Sequence, residues 1–187
     1  MENHEIKMVD LSRTLSHALR HEPTYYSIKL DDEGWVDIIQ LVNALRKIDS
    51  KWQNLEIANI IELVELSSKK RHEIKNDRIR AFYGHSTKDK IKKAITEPPK
   101  YLFHGTNEDV EETILNEGLL SMGRQYVHLS SNAEEAKLVG LRKSKDVIIF
   151  RVSAGEASQK NINFYLGNQN IWLADHIPPE FIDKIPR

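Results

Sequence analysis

The sequence contains no cysteine, and this absence excludes several kinds of chemistry. A chain without cysteine has no disulfide bond, no catalytic thiolate and no zinc site built on cysteine. Its eight histidines form no HExxH pattern and no close cluster with carboxylates, so we expect no metal centre. No apolar run approaches the roughly 18 residues of a membrane span, and residues 1–10 lack a signal-peptide core. We therefore expect a cytoplasmic protein without a membrane segment.

An excess of charge of one sign is also missing. The 187 residues contain 27 Lys and Arg against 28 Asp and Glu, with 40% hydrophobic residues, as in an ordinary globular protein of one domain or two small lobes. The distribution is nevertheless uneven, because residues 69–93 contain ten basic and three acidic side chains. Such a run is often only a solvated surface, and phosphate binding is the alternative interpretation.

The first half of the chain predicts three helices followed by a β-hairpin. Apolar residues recur at helical spacing, and Asp10 and Asp37 are the candidate N-caps of the first two helices. An Asn-Asp pair separates two alternating runs that read as the hairpin arms. The predicted helices span 9–20, 38–46 and 54–66, the hairpin arms 71–74 and 78–83, and short strands 28–30 and 35–36. This order predicts a winged-helix-like unit, an architecture common among nucleic-acid-binding proteins.

The second half predicts a small mixed sheet with two peripheral helices. One helix follows Asn107 and closes at Gly118, and the other is capped by Asn132 and ends at Gly140. The predicted strands are 101–103, 126–129, 147–152, 164–166 and 171–173. No GxGxxG follows a strand, which argues against a Rossmann unit. The polar stretch 87–100 marks the lobe boundary, so we predict an α+β protein with lobes 1–95 and 96–187.

Residues 101–131 place polar side chains at the ends of two short apolar runs. His104 ends the first run, Arg124 precedes the second, and strand alternation sends His128 to the face opposite Val127 and Leu129. A single histidine at a strand end is more often structural than catalytic. The joint occurrence of these residues at this spacing favours a site.

Seven segments resemble, in the same order, those of the NAD-dependent RNA 2′-phosphotransferases. They are LSHALRHEP (15–23), LDDEGWVDI (30–38), KKRHEI (69–74), RIRAFYGHS (78–86), YLFHGT (101–106), MGRQYVHLS (122–130) and NIWLADHIPPEFI (170–182). The resemblance covers nearly the whole chain. It implies a winged-helix-like RNA-binding lobe, 1–95, followed by an ADP-ribosyltransferase-like NAD-binding lobe, 96–187.

The resemblance also implies a reaction in which NAD is a co-substrate. An internal 2′-phosphate of RNA attacks C1″ of the nicotinamide ribose, nicotinamide leaves, and an ADP-ribosylated RNA phosphate forms. The ribose O2″ then attacks the phosphorus, which frees RNA with a 2′-hydroxyl and ADP-ribose 1″,2″-cyclic phosphate. Such an enzyme is expected to act as a cytoplasmic monomer in RNA processing, for example on a tRNA left with a 2′-phosphate by splicing.

Four residues match the active-site set that this family implies. Arg20 and Arg71 would clamp the 2′-phosphate, His21 would be a further donor, and Arg124 would stabilise charge at the phosphate in the second step. Fixed guanidinium forks suit a phosphate dianion better than flexible lysines. From the first segment alone, Arg20 and His21 could equally be cations at a helix C-terminus.

Further residues are assigned to NAD and RNA through the same resemblance. The adenosine side of NAD would contact His104, Gly105 and Thr106, and its other wall would be His128, Leu129 and Ser130. Tyr165 and Trp172 are candidate walls for the nicotinamide or ribose, although aromatic residues of a small sheet are more often core. RNA phosphates would contact Lys69, Lys70, Arg78 and Arg80. His85 and Ser86 either touch RNA or join the lobes, and His17 and His176 are assigned to structure.

Two alternatives from other classes stay open. An ADP-ribosyltransferase acting on protein or on phosphorylated nucleic-acid ends would carry a catalytic glutamate on a late strand. Residues 168–173 contain no carboxylate there, and Glu180 comes too late. A non-enzymatic winged-helix nucleic-acid binder, whose second lobe only senses NAD, would explain the basic hairpin but not the three arginines as a set.

Overall fold

A computed structural model of the protein describes residues 6–142 and 144–186. The chain divides into two compact units, residues 1–92 and 93–187, close to the predicted boundary between 95 and 96. Helices and antiparallel strands occur in both units, so the protein is of the α+β class. None of the described helices is long and apolar enough to cross a membrane.

Three helices build the core of the first unit: α1 (Met8–Arg20), α2 (Ile38–Ile48) and α3 (Ile57–Leu66). Each buries one apolar stripe at helical spacing, with Leu11, Leu15 and Leu19 of α1 fully buried. The cap predicted for α2 is confirmed, because the Asp37 carboxylate accepts from the Gln40 N–H at 2.8 Å.

The starts of α1 and α3 differ from the prediction. Helix α1 begins before Asp10, which therefore lies inside the first turn and is not its N-cap. Helix α3 begins later because a 3-10 helix, Ser50–Trp52, comes first, and Glu56 and Asn59 then form a reciprocal cap. Ile61 of α3 is exposed.

The first unit also contains a three-stranded antiparallel sheet. Strands β2 (His72–Lys75) and β3 (Arg78–Ala81) form the predicted hairpin, and β1 (Val36–Asp37) pairs with the other edge of β3. Asn76 and Asp77 take the left-handed φ values of 50° and 58° that a two-residue hairpin turn requires. The strand predicted at 28–30 is absent.

The second unit is built on a six-stranded sheet with the order β11-β7-β4-β6-β9-β8. Its strands are β4 (Leu102–Asn107), β6 (Val127–Ser130), β7 (Val147–Val152), β8 (Phe164–Leu166), β9 (Ile171–Ala174) and β11 (Ile182–Lys184). Two short strands, β5 (Leu119–Leu120) and β10 (His176–Ile177), form a separate ribbon. The helices are α4 (Glu111–Glu117), α5 (Ala133–Gly140) and α6 (Ala154–Gln159), the last of which the sequence pattern did not predict.

The predicted mixed sheet is wrong for the described residues, because every strand pair there is antiparallel. Helix α5 connects β6 to β7, as a parallel crossover would. These two strands are not neighbours, however, since β4 lies between them and runs antiparallel to both. The helical connection therefore creates no parallel pair.

Helix α5 lies close against β4 because glycine occupies the contact. A Cβ on Gly105 would lie 1.9 Å from the Ala136 carbonyl oxygen, which is far inside the contact distance. Asn132 caps α5 as predicted, accepting from the Glu135 N–H at 2.8 Å. Asn107 is not the cap of α4, because a 3-10 helix, Glu108–Val110, separates them.

Candidate active site

Arg20, the last residue of α1, contacts two other segments of the first unit. Its Nη2 donates to the carbonyl oxygen of Arg71 at 3.3 Å, and its own carbonyl oxygen accepts from the Ser86 N–H at 2.8 Å. Its guanidinium lies over the Tyr83 ring, 5.2 Å from the centroid. Helix α1, the start of β2 and the segment after β3 therefore meet at Arg20.

His21 follows directly as the C-terminal cap residue of α1 and is exposed. Its Nδ1 shares a hydrogen bond of 2.8 Å with Ser86 Oγ. Ser86 thus contacts Arg20 through its backbone and His21 through its side chain. This places Ser86, which the sequence linked only to RNA contact or lobe joining, in a positioning role for both residues.

Arg20, His21 and Arg71 line one cavity of about 900 Å³ in the first unit. Its other walls come from α1 and from the end of α3: Met8, Val9, Ser12, Arg13, Ser16, His17, Glu62, Leu63, Leu66, Ser67 and Ser68. Three arginines against one glutamate give it a positive charge, which suits an anion. The volume lies in the range typical of small-molecule sites and far exceeds the need of a single phosphate group.

Arg71 differs from the other arginines of the hairpin in its partners. In the described part of the chain, its guanidinium makes no hydrogen bond or ion pair with a carboxylate, so no described carboxylate neutralises its charge. Arg78, by contrast, pairs with Asp31, and Arg80 Nε donates to Glu73 Oε1 at 2.5 Å. Of these three arginines, Arg71 is therefore the one whose charge is left for a ligand.

The residues predicted to bind RNA are mostly engaged within the first unit. Arg78 and Arg80 lie over the Trp35 ring, with Arg80 Cζ 4.3 Å from the centroid. Lys70 Nζ donates to carbonyl oxygens at the end of α3, at 2.8 and 3.3 Å, whereas Lys69 is exposed. RNA contact by these residues stays a prediction, and the contacts of the two arginines favour a structural role.

His72 was not assigned from the sequence, yet it lies beside the site. It is 6% exposed, and its Nε2 shares a weak hydrogen bond of 3.4 Å with Ser16 Oγ of α1. Burial, together with the charges of Arg20 and Arg71, lowers its pKa to about 3. The imidazole is therefore neutral at physiological pH. The signal available in the sequence was strand alternation, which turns His72 inward next to Arg71.

His85, whose role was left open, and His17 and His176, which were predicted to be structural, have local contacts. His85 is buried, and a Cβ on Gly34 would lie 3.5 Å from its Nε2. His17 Nδ1 shares a hydrogen bond of 3.0 Å with the Tyr26 hydroxyl. His176 Nε2 lies 3.4 Å from the Glu117 carbonyl oxygen. These contacts agree with structural roles for His17 and His176.

In the second unit, His104 and His128 meet where β4 and β6 separate. The two strands are paired only at Phe103 and Ser130. His104 Nδ1 donates to the carbonyl oxygen of His128 at 3.0 Å, which fixes the proton of a neutral imidazole on Nδ1. The register places the two side chains on opposite faces of the sheet, because β4 and β6 pair at Phe103 and Ser130 and side chains alternate along each strand.

Several residues predicted to contact NAD have buried side chains. Leu129 is 1% exposed in the core of the second unit, Ser130 is buried, and helix α5 fills the space beside Gly105. Trp172 packs against the same core, as the structural alternative predicted. A contact of Leu129 or Gly105 with NAD would therefore have to use the backbone.

Tyr165 lies on the same face of the sheet as His128 and belongs to a polar cluster. Its hydroxyl donates to Asp175 Oδ2 at 2.7 Å, and its ring meets that of Tyr126 edge-on at 5.1 Å. Burial, followed by the Asp175 charge, raises the pKa of Tyr126 to about 12. The same causes raise the pKa of Tyr165, so both phenols are protonated.

Arg124 belongs to the second unit, in the exposed loop before β6. Its N–H donates to the Ser121 carbonyl oxygen at 3.1 Å, and Met122 between them has a left-handed φ of 54°. Among the described residues its guanidinium pairs with no carboxylate. The structure thus brings three of the four predicted catalytic residues into one cavity. The fourth, Arg124, lies in the other unit, where no described carboxylate pairs with it.

This set of side chains defines a class of protein. Guanidinium and imidazole groups line the cavity, and no three metal-ligating side chains are grouped among the residues that the structure describes. Such a site is typical of a protein that binds a phosphate-bearing substrate through arginine.

Comparison with known proteins identifies the family within this class. Residues 6–176 match the model of the RNA 2′-phosphotransferase, Tpt1 / KptA family. A probable RNA 2′-phosphotransferase of Bacillus thuringiensis subsp. konkukian is 46% identical over 92% of this chain and 93% of the relative. Relatives of the same name from Acetivibrio thermocellus and Flavobacterium johnsoniae are 45% and 39% identical, each over 92% of this chain and 94% of their own. The chain belongs to the RNA 2′-phosphotransferase family, as the resemblance predicted.

Proposed function

We propose that the protein removes an internal 2′-phosphate from RNA by transferring it to NAD, with release of nicotinamide and ADP-ribose 1″,2″-cyclic phosphate. Family membership and the names of the relatives support the reaction class. The observation that carries the proposal is the cavity in which Arg71, whose charge no described carboxylate neutralises, lies beside Arg20 and His21.

The 2′-phosphate is assigned to this cavity. A phosphate dianion accepts paired hydrogen bonds from a guanidinium, and two guanidinium groups offset both of its charges. The Arg20 side chain is oriented by the Arg71 carbonyl oxygen and by the Tyr83 ring. His21, held by Ser86, supplies a further donor. Arg20 and Arg71 therefore position the phosphate oxygen that acts as the nucleophile.

NAD is assigned to the second unit as a co-substrate, where it supplies the ribose carbon that accepts the phosphate and nicotinamide as the leaving group. The fit is supported by the interruption of pairing between β4 and β6, which exposes strand ends rather than a continuous ladder. His104 is held there in one tautomer, and Thr106 follows on the same strand. Burial of Leu129 and Ser130 and the packing of Trp172 against the core support smaller roles for these side chains than the resemblance implied.

Arg124 is assigned to the second step, in which O2″ attacks the phosphorus and the bond to the RNA 2′-oxygen breaks. Negative charge increases on the phosphate oxygens in that step, and the departing 2′-oxygen takes up a proton. A guanidinium without a carboxylate partner can stabilise this charge. Loss of one such preorganised donor typically raises the barrier by about 2.7–4 kcal/mol.

We also infer that the first unit is winged-helix-like and the second ADP-ribosyltransferase-like. Three helices followed by the β2–β3 hairpin support the first inference, and the separation of β4 and β6 at His104 supports the second. A cytoplasmic tRNA carrying a 2′-phosphate after splicing fits this chemistry as a substrate.

The test is a reaction of purified protein with NAD and a short RNA bearing one internal 2′-phosphate, without added metal. The RNA is followed by mass and the nucleotide by chromatography. Loss of phosphate with appearance of cyclic phosphorylated ADP-ribose is expected, and an otherwise identical RNA with a 2′-hydroxyl serves as the control. Intact NAD with bound RNA would support the binding module instead. ADP-ribose on another acceptor would support an ADP-ribosyltransferase.

A further inference from the structure

Among the Phe, Trp and Tyr residues that the structure describes, Tyr25 is the one that is exposed. Its side chain is 62% exposed, whereas every other Phe, Trp and Tyr of the described chain is buried or half-buried. Single exposed apolar side chains are common at protein surfaces, so exposure alone assigns no role to Tyr25. Its role follows from where the ring lies relative to the cavity.

The backbone around Tyr25 is fixed by a series of hydrogen-bonded turns. The N–H groups of Tyr25, Tyr26 and Ser27 donate to the carbonyl oxygens of the third residue before each, at 2.9 to 3.1 Å. Ser27 has a left-handed φ of 53°, which closes the series. The backbone of Tyr25 is thus held in place before any ligand binds, and little backbone entropy is lost on contact.

The Tyr25 ring is connected to the wall of the phosphate cavity through aromatic contacts. It meets the Tyr26 ring edge-on at 5.0 Å and the His17 ring at 6.5 Å. His17 is fixed by the Tyr26 hydroxyl, lines the cavity, and lies 6.1 Å from the His21 ring. An exposed ring therefore lies one residue away from the cavity that holds Arg20 and His21.

We propose that Tyr25 stacks against a nucleobase of a nucleotide next to the 2′-phosphate of the RNA substrate, and so contributes to RNA binding in the first unit. The inference rests on the proposed function. A positive cavity beside an exposed aromatic face matches a nucleotide, which joins an anionic phosphate to a flat base. Unpaired RNA bases are commonly bound by stacking on tyrosine, and this contact tolerates any base. Tyr25 therefore selects single-stranded RNA around the modified residue.

The experiment measures binding of fluorescent 2′-phosphorylated RNA to the whole protein without NAD. Tyr25→Ala is compared with Tyr25→Phe, which keeps the ring, and with Tyr25→Leu, which keeps apolar bulk only. Ile39→Ala, an exposed apolar position on α2, is the matched control. Three RNAs are used: one intact, one abasic on the 5′ side of the phosphate and one abasic on the 3′ side. Thermal unfolding of each variant checks folding.

Loss of the ring is expected to weaken binding of intact RNA about fivefold to a hundredfold, with Tyr25→Phe and Ile39→Ala close to wild type. On the RNA that lacks the stacked base, wild type and Tyr25→Ala should bind equally. The proposal is overturned if Tyr25→Ala binds intact RNA as wild type does, or loses the same factor on all three RNAs. Because binding needs no turnover, the result stands even if the protein transfers no phosphate, so the two proposals fail separately.

Discussion

Arg20 Nη2 donates to the carbonyl oxygen of Arg71 at 3.3 Å, so one proposed phosphate ligand holds the backbone of the other. Lysine cannot reproduce this arrangement, because its single ammonium cannot serve both the carbonyl oxygen and a phosphate in a fixed fork. Arg20→Lys is therefore expected to lower the rate of phosphate transfer about 100- to 1,000-fold, although the charge is kept. Single-turnover rates measure the effect.

The control for this variant is Lys47→Ala, which removes an exposed charge from α2. It should react at the wild-type rate. Equal rates for Arg20→Lys and wild type would show that only charge matters at this position, and the orienting role of the Arg71 carbonyl oxygen would be refuted.

Arg124→Ala should separate the two steps of the reaction. The guanidinium has no carboxylate partner in the described chain, and we assign it to the second step. The variant is expected to consume NAD and accumulate RNA that carries ADP-ribose on its phosphate, with product formation slowed about 100- to 1,000-fold. Mass spectrometry of the RNA during the reaction detects this species.

Met122→Ala provides the control, since Met122 is an exposed, uncharged residue of the same loop. It should show no accumulation. If Arg124→Ala instead fails to consume NAD at all, Arg124 acts before or during the first step, and our assignment is wrong.

The outcome for the second unit shows what sequence patterns could and could not predict. Strand β7 and the cap of α5 by Asn132 were predicted because alternation and capping depend on a few neighbouring residues. The antiparallel arrangement of β6 and β7 around β4 was missed, because strand order depends on contacts far apart in the chain. The packing of Trp172 against the core was predicted only as an alternative for the same reason.

In the first unit, sequence patterns identified the charged side chains but not all of their partners. The sequence assigned Arg71 to the 2′-phosphate and Arg78 and Arg80 to RNA. The structure shows that both of the latter have carboxylate partners. Glu73 lies opposite Arg80 in the predicted hairpin, whereas Asp31, the partner of Arg78, cannot be identified from spacing alone. His72 was placed outside the proposed site because the pattern gave it a place in a strand but did not identify its neighbours Ser16 and Arg20.

Arg80 is expected to contribute to stability rather than to RNA binding. Its guanidinium pairs with Glu73 and lies over Trp35, with only 21% of the side chain exposed. Arg80→Ala should lower the free energy of unfolding by about 1 kcal/mol. The more exposed Arg78→Ala is expected to have a smaller effect. Urea unfolding of both variants measures these changes.

The salt dependence of RNA binding tests whether Arg80 contacts an RNA phosphate. Lys69→Ala should reduce the dependence of log affinity on log salt by about one, since Lys69 is exposed. Arg80→Ala should leave that slope unchanged. A reduced slope for Arg80→Ala would support the contact between Arg80 and an RNA phosphate that the sequence predicted.

His72 should make stability depend on pH. Its pKa is lowered from 6.5 to about 3 in the folded protein, so the folded state stays neutral while the unfolded chain takes up a proton. Stability is therefore complete above about pH 6.5 and decreases as the pH falls, by at most about 1.4 kcal/mol per pH unit. His72→Phe removes this contribution.

Urea unfolding at about pH 7 and about pH 5 tests the prediction on both proteins. Between these values wild type should lose about 2 kcal/mol more than His72→Phe, because all other titrating groups are shared. Parallel losses in the two proteins would mean that His72 is protonated in the folded state.

Gly105 should be indispensable for the packing of α5 on β4, whatever its role toward NAD. An added Cβ would lie 1.9 Å from the Ala136 carbonyl oxygen, and backbone cannot move aside as a flexible side chain can. Gly105→Ala is expected to lower the free energy of unfolding by about 3 kcal/mol or more. Gly123→Ala is the matched control, because nothing lies within 4 Å of its Cβ position. Thermal unfolding of the two variants should therefore differ by several degrees, and equal unfolding temperatures would show that α5 does not pack on β4 at this distance.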